Sequence, residues 1–456
     1  MVGLRVSREK VVFRINDLAF FSFASEALVA GFYVAVTRSV TPIFLVANGY
    51  SLSEILSINI FAGIFSLLIG ALLYKCGSKK LSKTRLLIAH MLERIVWFSI
   101  PFTINDKLIT TISYGLAVAS TLPTSIFMQS TMLSTFKQEN YRRIIGIRGA
   151  LGALSSILGQ VVVIATLAIL TTPNKYVNLY ETAFIVGILS TVIIALVPTR
   201  TFNSSMKVAR KDDFEAETRA ANIFLLLTVV LSSYLLLSMA WIPRVMNDLK
   251  APDYMAASIG FAQTVATIGS SMFWISRPAK THRNALLLLT AMPLLVYGVT
   301  EPRLHLVLAM VFGFSIVGVN MYAAKMYSEL VGRIGVFKAG ILLASTNSLA
   351  LTLASTIGYT VSAYSSAVFL ASAVLGVIGL ALALTSLPEL AVIPRAYVQL
   401  YSRIIYQTSI SSYNLTTYAV LKSAKTSLRI IGLSSMLLIL FMVYRTLYHL
   451  IILTGG

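Results

Sequence analysis

A few residues in this sequence have the types and spacing to do chemistry. Glu26 sits in the run FFSFASEALVAGFYV, which is otherwise without charge. A carboxylate removed from water holds its proton more tightly, so such a group can take up and release a proton as its surroundings open and close. Its competing role is structural, as the partner of a cation or a cap on polar packing between helices. Arg38 is the next ionisable residue with a full charge. Twelve residues on, it would stand about 18 Å along a helix and roughly 120° around it, so the two cannot pair within one helix. Arg38 can bind an anionic solute, close a gate or reach toward an interface. His90, Glu93 and Arg94 share one helical face at i, i+3 and i+4, the spacing of a structural charge cluster. Cys76 is the single cysteine, so no intrachain disulfide can form, and there is no CxxC or His/Cys grouping to hold a metal. No GxxxxGK[ST] loop, HExxH pattern, paired carboxylates or Ser/His/Asp grouping is visible. The sequence therefore predicts neither an enzyme nor a cofactor.

The elements that must position these residues follow from composition. Of 456 residues, 57% are hydrophobic and 12% charged, against roughly 25% charged in soluble domains. The mean hydropathy is +0.82. The lipid bilayer is thus the expected surrounding. A hydrocarbon core about 30 Å thick needs roughly 20 apolar residues per helical crossing, and thirteen stretches qualify: 18–46, 55–74, 86–101, 108–132, 149–170, 182–197, 223–242, 256–275, 285–299, 304–324, 339–361, 367–387 and 430–453. The N-terminal MVGLRVSREKVVFRIND leads into a run too long for a signal-peptide core and is expected to be retained.

Net charge of +20 would suggest nucleic acid in a soluble protein, but here its distribution decides. With the N-terminus inside, 29 of the 37 Lys and Arg fall in cytoplasmic segments and 5 in outer loops: Lys107, Lys175, Arg244, Lys250 and Arg303. The remainder, Arg38, Arg94 and Arg445, lie within spans. Retention of basic loops on the cytoplasmic side accounts for this, with anionic headgroups as the only polyanion needed and no nucleic-acid partner. The expectation is a multi-pass cell-membrane protein with a cytoplasmic N-terminus and an external C-terminus.

The chain divides into a six-span half at 1–198, a mixed-charge cytoplasmic linker at 199–220, a second six-span half at 221–390, a basic Tyr-rich tail at 391–429 and a further helix at 430–456. The halves show a thin internal likeness. Pro42 and Pro243 begin corresponding segments at an offset of 201, at which Ser57-Ile58 falls on Ser258-Ile259. Parallel six-span repeats are a transporter architecture with its substrate site between the halves. Arg445 and His449 in the last stretch are polar enough to dock on a protein partner.

GALLYKCGSKK, from Gly70 to Lys80, resembles the signature loop of the major facilitator superfamily. Gly70, Lys75, Gly77, Lys79 and Lys80 fit that pattern, while Tyr74 stands where the family has an Asp that latches the cytoplasmic gate. Gly70 permits close helix contact and Gly77 a tight turn. YRRIIGIRGALGALSSILGQ (Tyr141 to Gln160) and VFKAGILLASTNSLALTLASTIGYTV (Val336 to Val361, with Asn347) resemble the family's spans 5 and 11, and PIFLVANGYSLSEI resembles its first turn. Together these cover about residues 10 to 390.

The resemblance implies an all-α membrane protein of two pseudo-symmetric six-helix halves plus a thirteenth helix, in which one half moves against the other. It also implies that spans 1, 4, 7 and 10 line a central cavity. Candidate cavity residues are then Arg38; Thr121, Ser125 and Gln129, which repeat every four residues around Pro123; Ser233, Tyr234, Ser238 and Trp241; and Asn320, Tyr322 and Lys325. Glu26 is the candidate proton-coupling residue, since some proton-coupled members carry an acid in span 1. Two functions stay open. One is a secondary transporter of a small organic solute, with the coupling ion open and protons a candidate through Glu26. The other is a non-transporting scaffold, receptor or complex subunit on a carrier fold, favoured by Tyr74 and the added helix.

Overall fold

Without water to bond their backbone groups, apolar runs of this length close those bonds internally as helices, and the computed structural model of the chain is built that way. It describes residues 2–76, 82–136, 138–171, 174–198, 214–275, 277–334, 336–386, 390, 404 and 407. Twelve α-helices follow one another: α1 (Val2–Ala47), α2 (Leu52–Cys76), α3 (Lys83–Thr103), α4 (Lys107–Thr135), α5 (Gln138–Ile169), α6 (Lys175–Ala195), α7 (Phe214–Pro243), α8 (Asp253–Ile275), α9 (His282–Gly298), α10 (Leu304–Ile334), α11 (Val336–Thr360) and α12 (Ser365–Ser386). They correspond one to one with the first twelve expected spans. Among the described residues there is no strand. Eight of the helices are long and apolar enough to cross a membrane; of the others, α9 has 17 residues, and α4, α8 and α11 are rich in Ser and Thr. The expected thirteenth span, its docking role and nearly all of the basic tail lie outside the described residues. So do most of the linker, Gly77, Lys79 and Lys80. Helix α7 begins at Phe214, inside the stretch expected as linker.

Local chemistry sets the helix starts. Ser51 and Glu54 form a reciprocal cap on α2: the Ser51 amide donates to Glu54 Oε2 at 2.8 Å, and the Glu54 amide to Ser51 Oγ at 3.4 Å. Asp106 caps α4 by accepting from the amides of Leu108 and Ile109. Both starts lie at the same end of the bundle, called distal here, where Lys107 reaches Glu54 at 2.5 Å. The N-terminus of α1 lies at the opposite, proximal end.

Packing repeats after six helices. In the first set α1 packs on α5 and α6, α3 on α4 and α6, and α2 on α4. In the second, α7 packs on α11 and α12, α9 on α10 and α12, and α8 on α10. These are the same pairs shifted by six. The sets meet along two seams, α2 with α11 and α5 with α8, which exchange under the same shift. The architecture is therefore two pseudo-symmetric six-helix halves. Near mid-height, Gly63 of α2 lies so close to α11 that a β-carbon there would overlap the Thr352 side chain. On the other seam Gln160 donates to Thr264 at 2.9 Å, and Thr264 is the residue at the offset of 201 from Gly63.

The contact between α1 and α5 is the tightest within the first half. A β-carbon on Gly31 would collide with the backbone carbonyl of Gly152, and one on Gly159 would come within 3.0 Å of the Phe32 carbonyl. Small residues let backbones approach, and dispersion replaces the hydrophobic drive that is absent in lipid. Gly31→Ala is expected to lower stability by about 1–3 kcal/mol through overpacking. Gly149→Ala, whose β-carbon would meet nothing within 4 Å, should not; thermal unfolding in detergent followed by tryptophan fluorescence compares the two.

Candidate functional site

The close α1–α5 contact carries Arg148 to Glu26. Its Nη1 lies 2.6 Å from Glu26 Oε2 and donates to the Phe23 carbonyl at 2.5 Å. Glu26 is only 2% exposed. Its other oxygen lies 3.3 Å from His90 Nε2 of α3. His90 Nδ1 meets Thr191 Oγ1 of α6 at 2.8 Å. Arg94 sits one turn along α3, with Nη2 3.3 Å from the same His90 Nε2 and 3.4 Å from Ser190 Oγ, and Nη1 2.9 Å from Glu93 Oε2. Its guanidinium lies over the Tyr33 ring, 4.4 Å from the centroid. Gly187 makes room for this, since a β-carbon there would be 2.8 Å from both Arg94 Cγ and Tyr33 Cδ2. Four helices thus contribute to one buried polar cluster holding two acids, two arginines and a histidine.

The cluster joins what the sequence kept apart: the lone acid of α1 and the charge triplet of α3. It also adds Arg148, which charge counting assigned to a cytoplasmic loop. The signal was there in principle, because a carboxylate in an apolar span needs a cation at its own depth. His90 Nε2 faces a donor, Arg94, and an acceptor, Glu26. With Nε2 bare it accepts from Arg94; with Nε2 protonated it donates to Glu26. The two neighbours therefore favour different tautomers of the same ring. Glu26 faces this interior rather than an open cavity wall.

The cavity candidates separate into two sets. Arg38 is exposed, and its charge acts on the hydroxyls of Tyr33, Tyr114 and Tyr234, from α1, α4 and α7. On α4, Ser125 and Gln129 are exposed and Thr121 half-buried, with Thr121 Oγ1 bonded to the Val118 carbonyl. Tyr234 stacks on Phe312, centroids 5.4 Å apart, and bonds Ser238 one turn on. Asn320 is exposed. Other candidates are committed to packing. Ser233 and Ser372 each donate to the other's carbonyl at 2.8 Å, tying α7 to α12. Trp241 is buried and donates to His305 Nδ1 at 2.9 Å. Tyr322 is buried in the second half against His282. Lys325 and Tyr74 lie on helices, with side chains outside the described set. Gly70 faces Ser345 of α11, a β-carbon there standing 3.0 Å from its Oγ, and Lys75 is exposed.

At the distal end the halves are joined. Lys175, at the start of α6, lies 2.5 Å from Asp253 Oδ2 at the start of α8, and the Tyr176 hydroxyl donates to the same oxygen at 2.9 Å. An apolar plug of Leu45, Tyr50, Ile55 and Ile58 packs with Ile242 at the end of α7 and Met246 in the turn that follows it. Sequence reasoning passed over this junction, since a lysine and an aspartate 78 residues apart carry no local pattern. Among the described residues no group of three or more His, Cys, Asp or Glu is placed to hold a metal.

No protein-family model and no curated protein matches the sequence. Solved structures do match in shape. The nucleoside transporter NupG is similar with a TM-score of 0.60 at 14% identity, covering 80% of this chain and 98% of that one; a point mutant of the same transporter gives 0.59 at 14% identity, over 79% and 98%. The likeness is one of fold. The shared shape and the apolar helices together support a multi-pass membrane protein.

Removing one member of a buried ion pair strands the other and costs about 3–5 kcal/mol. Arg148→Met is expected to destabilise on that scale, while Arg148→Met combined with Glu26→Leu recovers most of the loss. A double-mutant cycle by thermal unfolding reads the coupling, and a single variant as stable as the parent would show that the pair does not hold the half together.

Proposed function

We propose that the protein is a secondary carrier of the major facilitator type, moving a small organic solute through the space between its halves by alternating access. The observation that carries this reading is the contrast between the two ends: the distal end is closed by the Lys175–Asp253–Tyr176 junction and its apolar plug, while Ser125 and Gln129, toward the proximal end of α4, are exposed. A polar helix face in a bilayer protein needs water or solute beside it. The skewed distribution of basic residues supports a cytoplasmic proximal end and N-terminus. The cavity is then open to the cytoplasm and shut to the outside. In this arrangement Arg38, Tyr114 and Tyr234 stand at the closed end of the space, and Thr121, Ser125 and Gln129 along its wall.

Proton coupling in this reading falls on the Glu26–Arg148–His90–Arg94 cluster, between the helices of the first half. Because it is buried, a proton enters or leaves only when α1 and α5 shift against α3 and α6. Such a shift is what a half that changes shape between states would supply. The likeness in fold to a nucleoside transporter makes nucleosides and their derivatives the first solutes to test.

Opening the distal end requires breaking the junction, so Asp253→Asn is expected to favour the distal-open state. With Cys76→Ser removing the native thiol and Met246→Cys placed in the plug, Asp253→Asn should speed labelling by a membrane-impermeant maleimide severalfold. Equal slow labelling with and without Asp253→Asn would mean that the junction does not gate. For coupling, proteoliposomes holding a pH-sensitive dye and given a panel that includes uridine and uridine 5′-monophosphate should acidify or alkalinise with the transported member in the parent protein and not in Glu26→Gln. Solute uptake with unchanged proton movement in Glu26→Gln would remove the cluster from coupling and leave transport intact.

A further inference from the structure

Among the described residues, Arg38 is a cation inside a span that has no counter-charge. It stands nine residues before the distal end of α1, roughly 13 Å along the helix, well inside the apolar span. Among the described residues it has neither an ion pair nor a hydrogen bond, and the two fully buried acids, Glu26 and Glu93, are each committed to an arginine of their own. The exposure of Arg38 is inward. Helix α1 is flanked by α5 and α6 within its half and by α7 and α8 of the other, and neighbouring Ser39 lies beside Gly260 of α8. The charge reaches Tyr114 of α4 and Tyr234 of α7, which belong to opposite halves. Tyr114 is anchored to Asn59 of α2 at 3.3 Å and Tyr234 is stacked on Phe312. The guanidinium therefore sits between the halves, behind the distal plug, among aromatic rings whose hydroxyls already have partners.

An unpaired guanidinium in a site of reduced dielectric favours an oxyanion strongly, and its planar fork matches carboxylate or phosphate through two parallel bonds. The aromatic neighbours suit an apolar or aromatic body on the same molecule. Resting on the carrier reading, we infer that the transported solute is a small organic anion, a carboxylate or phosphate monoester, whose charged end is held by Arg38. Its position between the halves gives the charge a second effect: the arriving anion neutralises a cation that otherwise opposes close approach of the apolar walls around it.

The test uses the full chain in detergent with three probes: phenylacetate, uridine 5′-monophosphate and uridine. Thermal shift and calorimetric titration are run on the parent, Arg38→Lys and Arg38→Gln; because Arg38 has no partner among the described residues, neither variant should lose stability without ligand. The expected result is that at least one of the two anions binds the parent, loses affinity at least tenfold in Arg38→Gln and less in Arg38→Lys, with phenylacetate and the nucleotide distinguishing a carboxylate from a phosphate site. An anion that binds parent and Arg38→Gln equally overturns the inference. So does binding of uridine to both proteins with neither anion bound, an outcome that leaves the carrier reading standing. Silence of all three probes on folded parent also counts against it, and the carrier reading is then judged separately by the maleimide labelling of Met246→Cys.

Discussion

The ion pair between Glu26 and Arg148 is the contact on which the first half is organised. Neither group is tolerable alone in an apolar bundle, and bringing them together from α1 and α5 requires two helices to approach closer than side chains normally allow. Gly31 and Gly152 supply that approach. Once α1 is pinned to α5, Glu26 also reaches His90, and through it Arg94 and the Thr191 and Ser190 hydroxyls of α6. The polar cluster thus ties α1, α3, α5 and α6 together in directions that apolar packing leaves free.

Much of this was legible in the sequence, and the limits have physical causes. The first twelve helices and their order follow from hydropathy, because the bilayer imposes one length scale on every crossing. Glu26, Arg38 and the His90–Glu93–Arg94 triplet stood out because charge is rare at that depth. Their partners did not. Arg148 lies one residue before the apolar run expected for α5, where a positive charge is also explained by the cytoplasmic surface. Asp253 and Lys175 are ordinary end-of-helix charges until the fold sets them side by side. Hydroxyl residues such as Ser233 were equally ambiguous, since a serine that lines a cavity and one that staples two helices look the same in one dimension.

The halves share a frame and differ in chemistry. At the offset of 201 from Glu26 the second half has Leu227, which with Val230, Leu286 and Val319 lines a small apolar cavity beside His282 and Tyr322. Where the first half holds a buried charge at this position, the second holds an aliphatic side chain packed among others of its kind. The pairing of helices is set by shape and the fixed crossing length. The contents of each half are free to specialise, and among the described residues the buried ion-pair cluster belongs to the first half.

In the carrier proposed above, the mid-height contacts of the two seams act together as an axle. Gly63 against Thr352 and Gln160 against Thr264 lie on opposite sides of the molecule at pseudo-equivalent positions, so a line drawn through both crosses the centre between the halves. A body rocking on such a line gains at one mouth what it gives up at the other, and the axle itself hardly changes between the two extremes. Friction there slows the swing in both directions alike. Selection on turnover and selection on resting orientation can therefore act on separate residues, the first at the axle and the second at the mouths.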